Sequence, residues 1–339
     1  DEMRIKGLQR GNAVLFNILV FLVPCLEQDT FSEPLFPLDH NPPIRDLVSR
    51  FQAISPSPRK IPITGVKGTI PGGGHFQGIQ EVQIKGKQYA TITGSSSDHS
   101  FLLLSEFTGH QARFTSILTL LPKPFKHAGG VQAVGDYLVF GIEDNSGKKA
   151  SRVWIVETSH LLEGGIKPVI EIQRRGPYKR STAGAVGMAK VRGRHYLVVA
   201  SWDSETLDIY ESNGRPLGDA SCQFQLFETW ESSRADKAGW IDPGYESYQN
   251  INVLVDMDER VFLAGFVEVD RTHRADLFSL DLDKRTHASR RLQKISSRVF
   301  QCDATTFRAG AGFVCREEGK LELLSISHHA PAIELFEAP

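Results

Sequence analysis

His127-Ala128-Gly129-Gly130-Val131-Gln132-Ala133-Val134 is an octet of small and apolar residues, followed by Gly135-Asp136 and a second apolar run, Tyr137-Leu138-Val139-Phe140. Two β-rich runs across a Gly-Asp turn predict a β-hairpin. The octet recurs as His75-Phe76-Gln77-Gly78-Ile79-Gln80-Glu81-Val82, with weaker copies at 182–189, 247–254 and 307–314. The matched positions Ile79, Val131, Val186, Ile251 and Ala311 lie 52, 55, 65 and 60 residues apart.

The segments downstream of the copies repeat as well. Val82, Ala189, Leu254 and Val314 each precede by seven residues the first apolar residue of a second run, at Tyr89, Tyr196, Val261 and Leu321. Third runs lie at 101–107, 152–156, 207–210, 275–282 and 332–336, and weaker fourth runs near 113–121, 167–172, 222–229 and 287–295. No segment has helical periodicity. Four short antiparallel strands repeated five times predict an all-β fold, a β-propeller of five four-stranded blades. The fifth copy runs out of chain before a fourth strand, and Ile61–Ile70 is placed to supply it and close the ring. Six blades is the alternative if residues 31–60 hide a degenerate copy. Two packed β-sandwiches are the rival, but they do not predict a constant seven-residue offset.

The 339 residues are 40% hydrophobic and 23% charged, a globular composition that excludes disorder. With 39 basic against 40 acidic residues the net charge is -1, so no basic excess points to nucleic acid. Arg4, Lys6 and Arg10 precede an apolar run, 13–23, broken only by Asn17. That is the layout of an export signal and too short for a membrane span. The expected organisation is a leader over 1–27, an N-terminal extension over 28–60 and one propeller domain over 61–339. The protein is then secreted or periplasmic, with no membrane span in the mature chain. Leu22-Val23-Pro24-Cys25 also resembles a lipoprotein box, with Pro24 where a small residue belongs, which makes lipid anchoring through Cys25 the alternative. Cys302 and Cys315 are the nearest cysteine pair for a disulfide, and the absence of CxxC spacing gives structural zinc no support.

The runs HAGGVQAVGDYLVFGIED (127–144), YQNINVLVD (248–256) and FRAGAG (307–312) resemble blades of exported β-propeller proteins of uncharacterised activity, over roughly residues 70–330. The resemblance implies a fold and no chemistry, so function has to come from a site.

In a propeller blade the first strand is innermost and antiparallel to the second. First-strand starts and second-strand ends therefore share a face. That face gathers His75, Gln77, Gln80, His127, Gln132, Gln249, Asn250 and Arg308 with Glu143, Asp144, Trp202, Asp203, His328 and His329. His75, His127, Glu143 and Asp144 are the candidates for acid–base chemistry. Gln77, Gln80, Gln132, Trp202, Asp203, Gln249, Asn250 and Arg308 are the candidates for ligand contact. A divalent cation is a further option, since imidazoles and carboxylates converge. Against this, Gln80, Gln132 and Asn252 recur in several copies, as architectural residues do. The basic pairs Arg174-Arg175, Lys179-Arg180 and Arg290-Arg291 read as solvated loop charges, and Asp256 and Asp281 as turn residues. No GxSxG, HExxH or deaminase signature occurs. Three functions fit: a receptor for a small polar ligand such as a carbohydrate, a hydrolase or lyase using the same face, and a protein-binding scaffold.

Overall fold

Turn chemistry sets the hairpins. Lys85-Gly86 and Arg192-Gly193 carry consecutive positive φ angles, 51° and 77° in the first turn and 48° and 77° in the second. That is the twist-matched geometry of two-residue loops between antiparallel strands. The computed structural model describes residues 36–65, 73–316, 319–329 and 332–338, all within one unit, Phe36–Pro339. The expected leader lies outside the described residues.

The described chain begins with helix α1 (Leu47–Ala53) and strand β1 (Arg59–Thr64) and is β thereafter. Strands β2 (His75–Ile84), β3 (Lys87–Ser95), β4 (His99–Thr108) and β5 (Gln111–Pro122) pair in order, each antiparallel to the last. The same meander recurs in β6 (His127–Val134), β7 (Tyr137–Glu143), β8 (Ala150–Glu157) and β9 (Ile170–Arg175). A third comprises β10 (Ala185–Val191), β11 (Arg194–Ala200), β12 (Thr206–Ser212) and β13 (Phe224–Glu231). The fourth is β14 (Asn250–Val255), β15 (Val261–Val269), β16 (Thr272–Leu280) and β17 (Leu292–Phe300). Finally β18 (Gly310–Cys315), β19 (Leu321–Ile326) and β20 (Ala332–Phe336) are completed by β1, through Arg59↔Leu335 to Pro62↔Ala332.

Hydrogen bonding assembles these strands into sheets of 12, 4 and 4. Only two short links fuse three meanders into the largest sheet: the parallel pairs Ile63↔Ala112 and Thr64↔Arg113, and the single pair Ser95↔His127. The first strands also touch in a cycle: β2 packs on β6, β6 on β10, β10 on β14, β14 on β18, and β18 on β2. Glycine makes that approach possible. A Cβ on Gly129 would lie 2.1 Å from the Gly184 carbonyl oxygen, and one on Gly312 would lie 2.0 Å from Gln80 Nε2. The core fills the spaces between neighbouring meanders, with Phe101, Phe140, Phe266 and Phe307 fully buried. Each such ring contributes about 2–3 kcal/mol of transfer free energy.

The structure departs from expectation in several places. Helix α1 was not expected: over its seven residues helical spacing turns only Leu47 and Phe51 inward, too few to establish a period. Residues 36–58 pack against the strands: Asp39, Ile44, Leu47, Phe51 and Ile54 are buried. Cys222, Cys302 and Cys315 are all free thiols, so Cys302 and Cys315 form no disulfide. The basic pairs are not simply solvated. Arg174 is buried against Asp208 at 2.7 Å, where Arg180 joins it, and Arg291 is buried against Glu228. No helix among the described residues is long and apolar enough to cross a membrane.

Candidate functional site

The starts of β2, β6, β10, β14 and the turn before β18 lie around one cavity of about 330 Å³. Every meander contributes to its wall: His75 and Gln77; His127, Glu143 and Asn145; Ser201, Trp202 and Asp203; Ser247, Tyr248 and Gln249; Arg308 and His328. Of the residues named from sequence, His75, Gln77, His127, Glu143, Trp202, Asp203, Gln249, Arg308 and His328 are brought together here.

Glu143 ends β7 and is 1% exposed. Its Oε2 accepts the Ala183 N–H at 2.9 Å, and Oε1 lies 3.7 Å from His127 Nε2, longer than a direct hydrogen bond. Burial pushes the Glu143 carboxyl up to about 7, against the pull of that N–H and of Lys148 and Arg174. Burial likewise drives His127 down to about 3, helped by the charges of His75 and Lys126, and Ser95 Oγ holds its Nδ1 at 2.6 Å. The pair is therefore an acid poised near neutrality beside a neutral imidazole.

Beside it lies an imidazole cluster. His75 stacks on His328 at 4.6 Å between ring centroids and lies 6.2 Å from His127 and 6.3 Å from His329. His328 Nδ1 and His329 Nε2 are hydrogen-bonded at 2.9 Å. Burial, His75, His329 and Arg308 together lower His328 to about 4. No group of three His, Cys, Asp or Glu among the described residues is arranged to hold a metal ion.

Apart from Arg308, the remaining wall is neutral or already compensated. Gln249 Nε2 donates to Gln77 Oε1 at 2.8 Å. Asp203 accepts from Lys179 at 3.3 Å and Ser247 at 3.2 Å, while Lys148 Nζ sits 3.4 Å above the Trp202 ring. Behind the wall, Tyr248 donates to Asp276 at 2.7 Å, and the buried Lys294 ammonium is 3.0 Å from the same carboxylate.

Four candidates stand elsewhere. Asp144 caps its own turn, accepting from Ser146 and Gly147 N–H groups at 3.1 and 2.7 Å. Gln132 bridges β10 and β14, accepting from Met188 N and Val253 N and donating to Val253 O. Asn250 donates to Gln77 O and accepts from Ala311 N, and Gln80 Oε1 faces the Ala133 N–H at 3.4 Å. These amides tie first strands together, some of them neighbours and some across the ring, and do not line the cavity, which is the structural role that their recurrence suggests. Asn145, Ser201, Ser247 and Tyr248 were missed. Asn145 and Ser201 sit in connections, where the repeat gives no register; Ser247 and Tyr248 open the fourth copy just before β14 and were within reach.

No family model matches the chain, and no curated protein matches it. Among solved structures it is similar to a hypothetical protein from Leishmania major, at 13% identity over 83% of this chain and 89% of that one, TM-score 0.48. A mannose phosphorylase from Leishmania mexicana, in complex with phosphate ion, is similar at 13% over 82% and 87%, TM-score 0.46. The GH43_1 enzyme from Xanthomonas citri complexed with xylose is similar at 10% over 81% and 90%, TM-score 0.46. Likenesses this distant carry no activity across to this chain.

Proposed function

We propose that the chain is an exported five-bladed β-propeller that binds a small hydroxylated ligand, a carbohydrate in the simplest case, at the mouth of its central channel. The closed cycle of first strands supports the blade count. The observation that carries the binding reading is the convergence of polar side chains from all five meanders on one 330 Å³ cavity. Its volume falls within the range of small-molecule sites. Amides Gln77 and Gln249, hydroxyls Ser201 and Ser247, and the Trp202 ring offer hydrogen bonds and a stacking face. Asn145, also in this wall, has a buried Oδ1 with no partner among the described residues. The test is a thermal-shift screen against mono- and oligosaccharides, with divalent cations and a chelator as controls. A ligand selective for the native state stabilises it by about 2.7 kcal/mol at a hundredfold excess over Kd. A shift abolished by Gln249→Ala or Trp202→Ala supports the site; a flat screen removes the reading.

A second reading rests on Glu143. A buried carboxyl lifted to about 7 at a cavity wall suits proton transfer to a leaving group or from a substrate carbon. Hydrolytic turnover of any sugar that binds, lost in Glu143→Gln with binding retained, supports it. Binding without turnover leaves a receptor.

A further inference from the structure

Resting on the binding reading above, we propose that the ligand is a hydroxylated acid, its carboxylate or phosphate monoester lodged between Arg308 and the stacked imidazoles His75 and His328.

Basic groups without compensating carboxylates gather on this part of the wall. His75, His127, His328 and His329 lie with ring centroids 4.3–6.3 Å apart along successive contacts, and Arg308 lines the same cavity. Among the described residues no carboxylate pairs with Arg308, His75, His328 or His329. Of the four imidazoles Glu143 reaches only His127, and Asp203 is held by Lys179 and Ser247. Cations brought this close repel one another, so that beyond burial His329 depresses the proton affinity of His75, and His75, His329 and Arg308 depress that of His328. Such an arrangement gives the empty protein nothing. An arriving oxyanion would meet ring N–H donors and a planar guanidinium, and would turn the mutual repulsion into attraction. The amides and hydroxyls on the opposite wall, Gln249 and Ser247, then serve the hydroxyls of the same ligand.

Binding an anion here takes up protons on His75 and His328, so affinity rises as pH falls. Groups facing these imidazoles are His127, His329, Arg308 and, through His127, Lys126 and Glu143. Ionisation of Glu143 near 7 also weakens anion binding at higher pH, and the Glu143→Gln background separates the two contributions.

The experiment is calorimetric titration of the full chain at pH 5.5 and 7.5 with matched pairs: glucose against glucuronate and glucose 6-phosphate, galactose against galacturonate. Inorganic phosphate and acetate are titrated alone. The expected result is at least tenfold tighter binding of an acidic member than of its neutral partner, strengthening at the lower pH in the Glu143→Gln background too. That preference collapses in Arg308→Gln and in His328→Gln, which weaken the acidic member at least tenfold more than its neutral partner; Arg308→Lys restores part of it. Carboxylate and phosphate sources are told apart by which acidic partner binds. Equal affinity for neutral and acidic members, or a preference that survives Arg308→Gln, overturns the proposal and leaves the binding reading intact. Inorganic phosphate binding as tightly as any sugar acid overturns it in favour of a free-anion site. Failure of every ligand removes the binding reading together with this one.

Discussion

The two ends of the five first strands differ in how their polar groups are used. At the strand starts, Glu143, His75, His328 and Arg308 face a cavity with few protein partners. At the strand ends, a segment of the chain crosses the ring and satisfies what it meets. Leu38 N donates to the Asp136 carboxylate and Leu38 O accepts the Asp136 N–H, Asn41 donates to Ala133 O and accepts from Gly135 N, and Ile44 N donates to Val255 O. Asp39 is buried between Lys190 at 2.8 Å and His195 at 3.3 Å. Burial opposes ionisation of Asp39, but hydrogen bonds from His195 and Lys190 hold its carboxyl far below the ordinary range. A larger hollow of about 750 Å³ remains beside this crossing segment, walled by ordinary strand-end residues such as Gln83, Gln88 and Lys320. Charge compensated by the chain marks one end; at the other it stays uncompensated, which is where the proposed ligand would bind.

That contrast can be broken at four points. The largest effect belongs to the seam that both ends share. Gln132→Ala strands two buried N–H groups and a carbonyl, and should cost about 4 kcal/mol in urea unfolding. A loss under about 1 kcal/mol, the net worth of a single hydrogen bond, would mean the first strands are not held through this amide. Next is Glu143→Gln. A carboxyl raised to about 7 in the folded state costs stability as pH rises from 4.5 to 7, and the full cost persists above. The variant should therefore match the wild type at pH 4.5 and exceed it by about 3 kcal/mol at pH 8. A pH-independent difference would show that Glu143 is ionised and compensated after all.

Asp39→Asn at the other end has the opposite sign. A lowered carboxyl supplies stability above its unfolded value near 3.8, and that stability fades as pH falls below it. The variant should lose about 2 kcal/mol at pH 7, a deficit that starts to shrink below about pH 4 and vanishes only as pH falls through the depressed folded-state value. Smallest is His75→Ala, which removes a half-buried ring from a crowd of like groups. Its unfolding free energy should shift by no more than about 0.5 kcal/mol, while ligand-induced stabilisation disappears. A large loss of stability would place His75 with the structural residues.

Much of this was legible because a repeat fixes register. The seven-residue offset located the hairpins β2–β3, β10–β11, β14–β15 and β18–β19, and the antiparallel relation of the first two strands put His75, His127, Glu143 and Asp203 on one face. Side-chain direction was not legible. Asp144 follows Glu143 directly, yet one turns to its own loop and the other into the interior, since alternation along an extended chain sends neighbours to opposite sides. Gln80 and Gln132 carry the same amide as Gln77 and Gln249, and three more residues along the strand carries them from the cavity to the seam.

Strand count per repeat, the closing role of β1 and the side on which His75, His127, Glu143 and Asp203 gather were readable from the chain alone, because hydrophobic periodicity and turn residues are local properties. Tertiary structure alone decided which polar groups are compensated. Asp39 finds its partners 151 and 156 positions away, Arg174 finds Asp208 at 34, and Gln132 reaches residues 56 and 121 positions along the chain. A buried charge or amide becomes structural or available only when its neighbours in space are fixed.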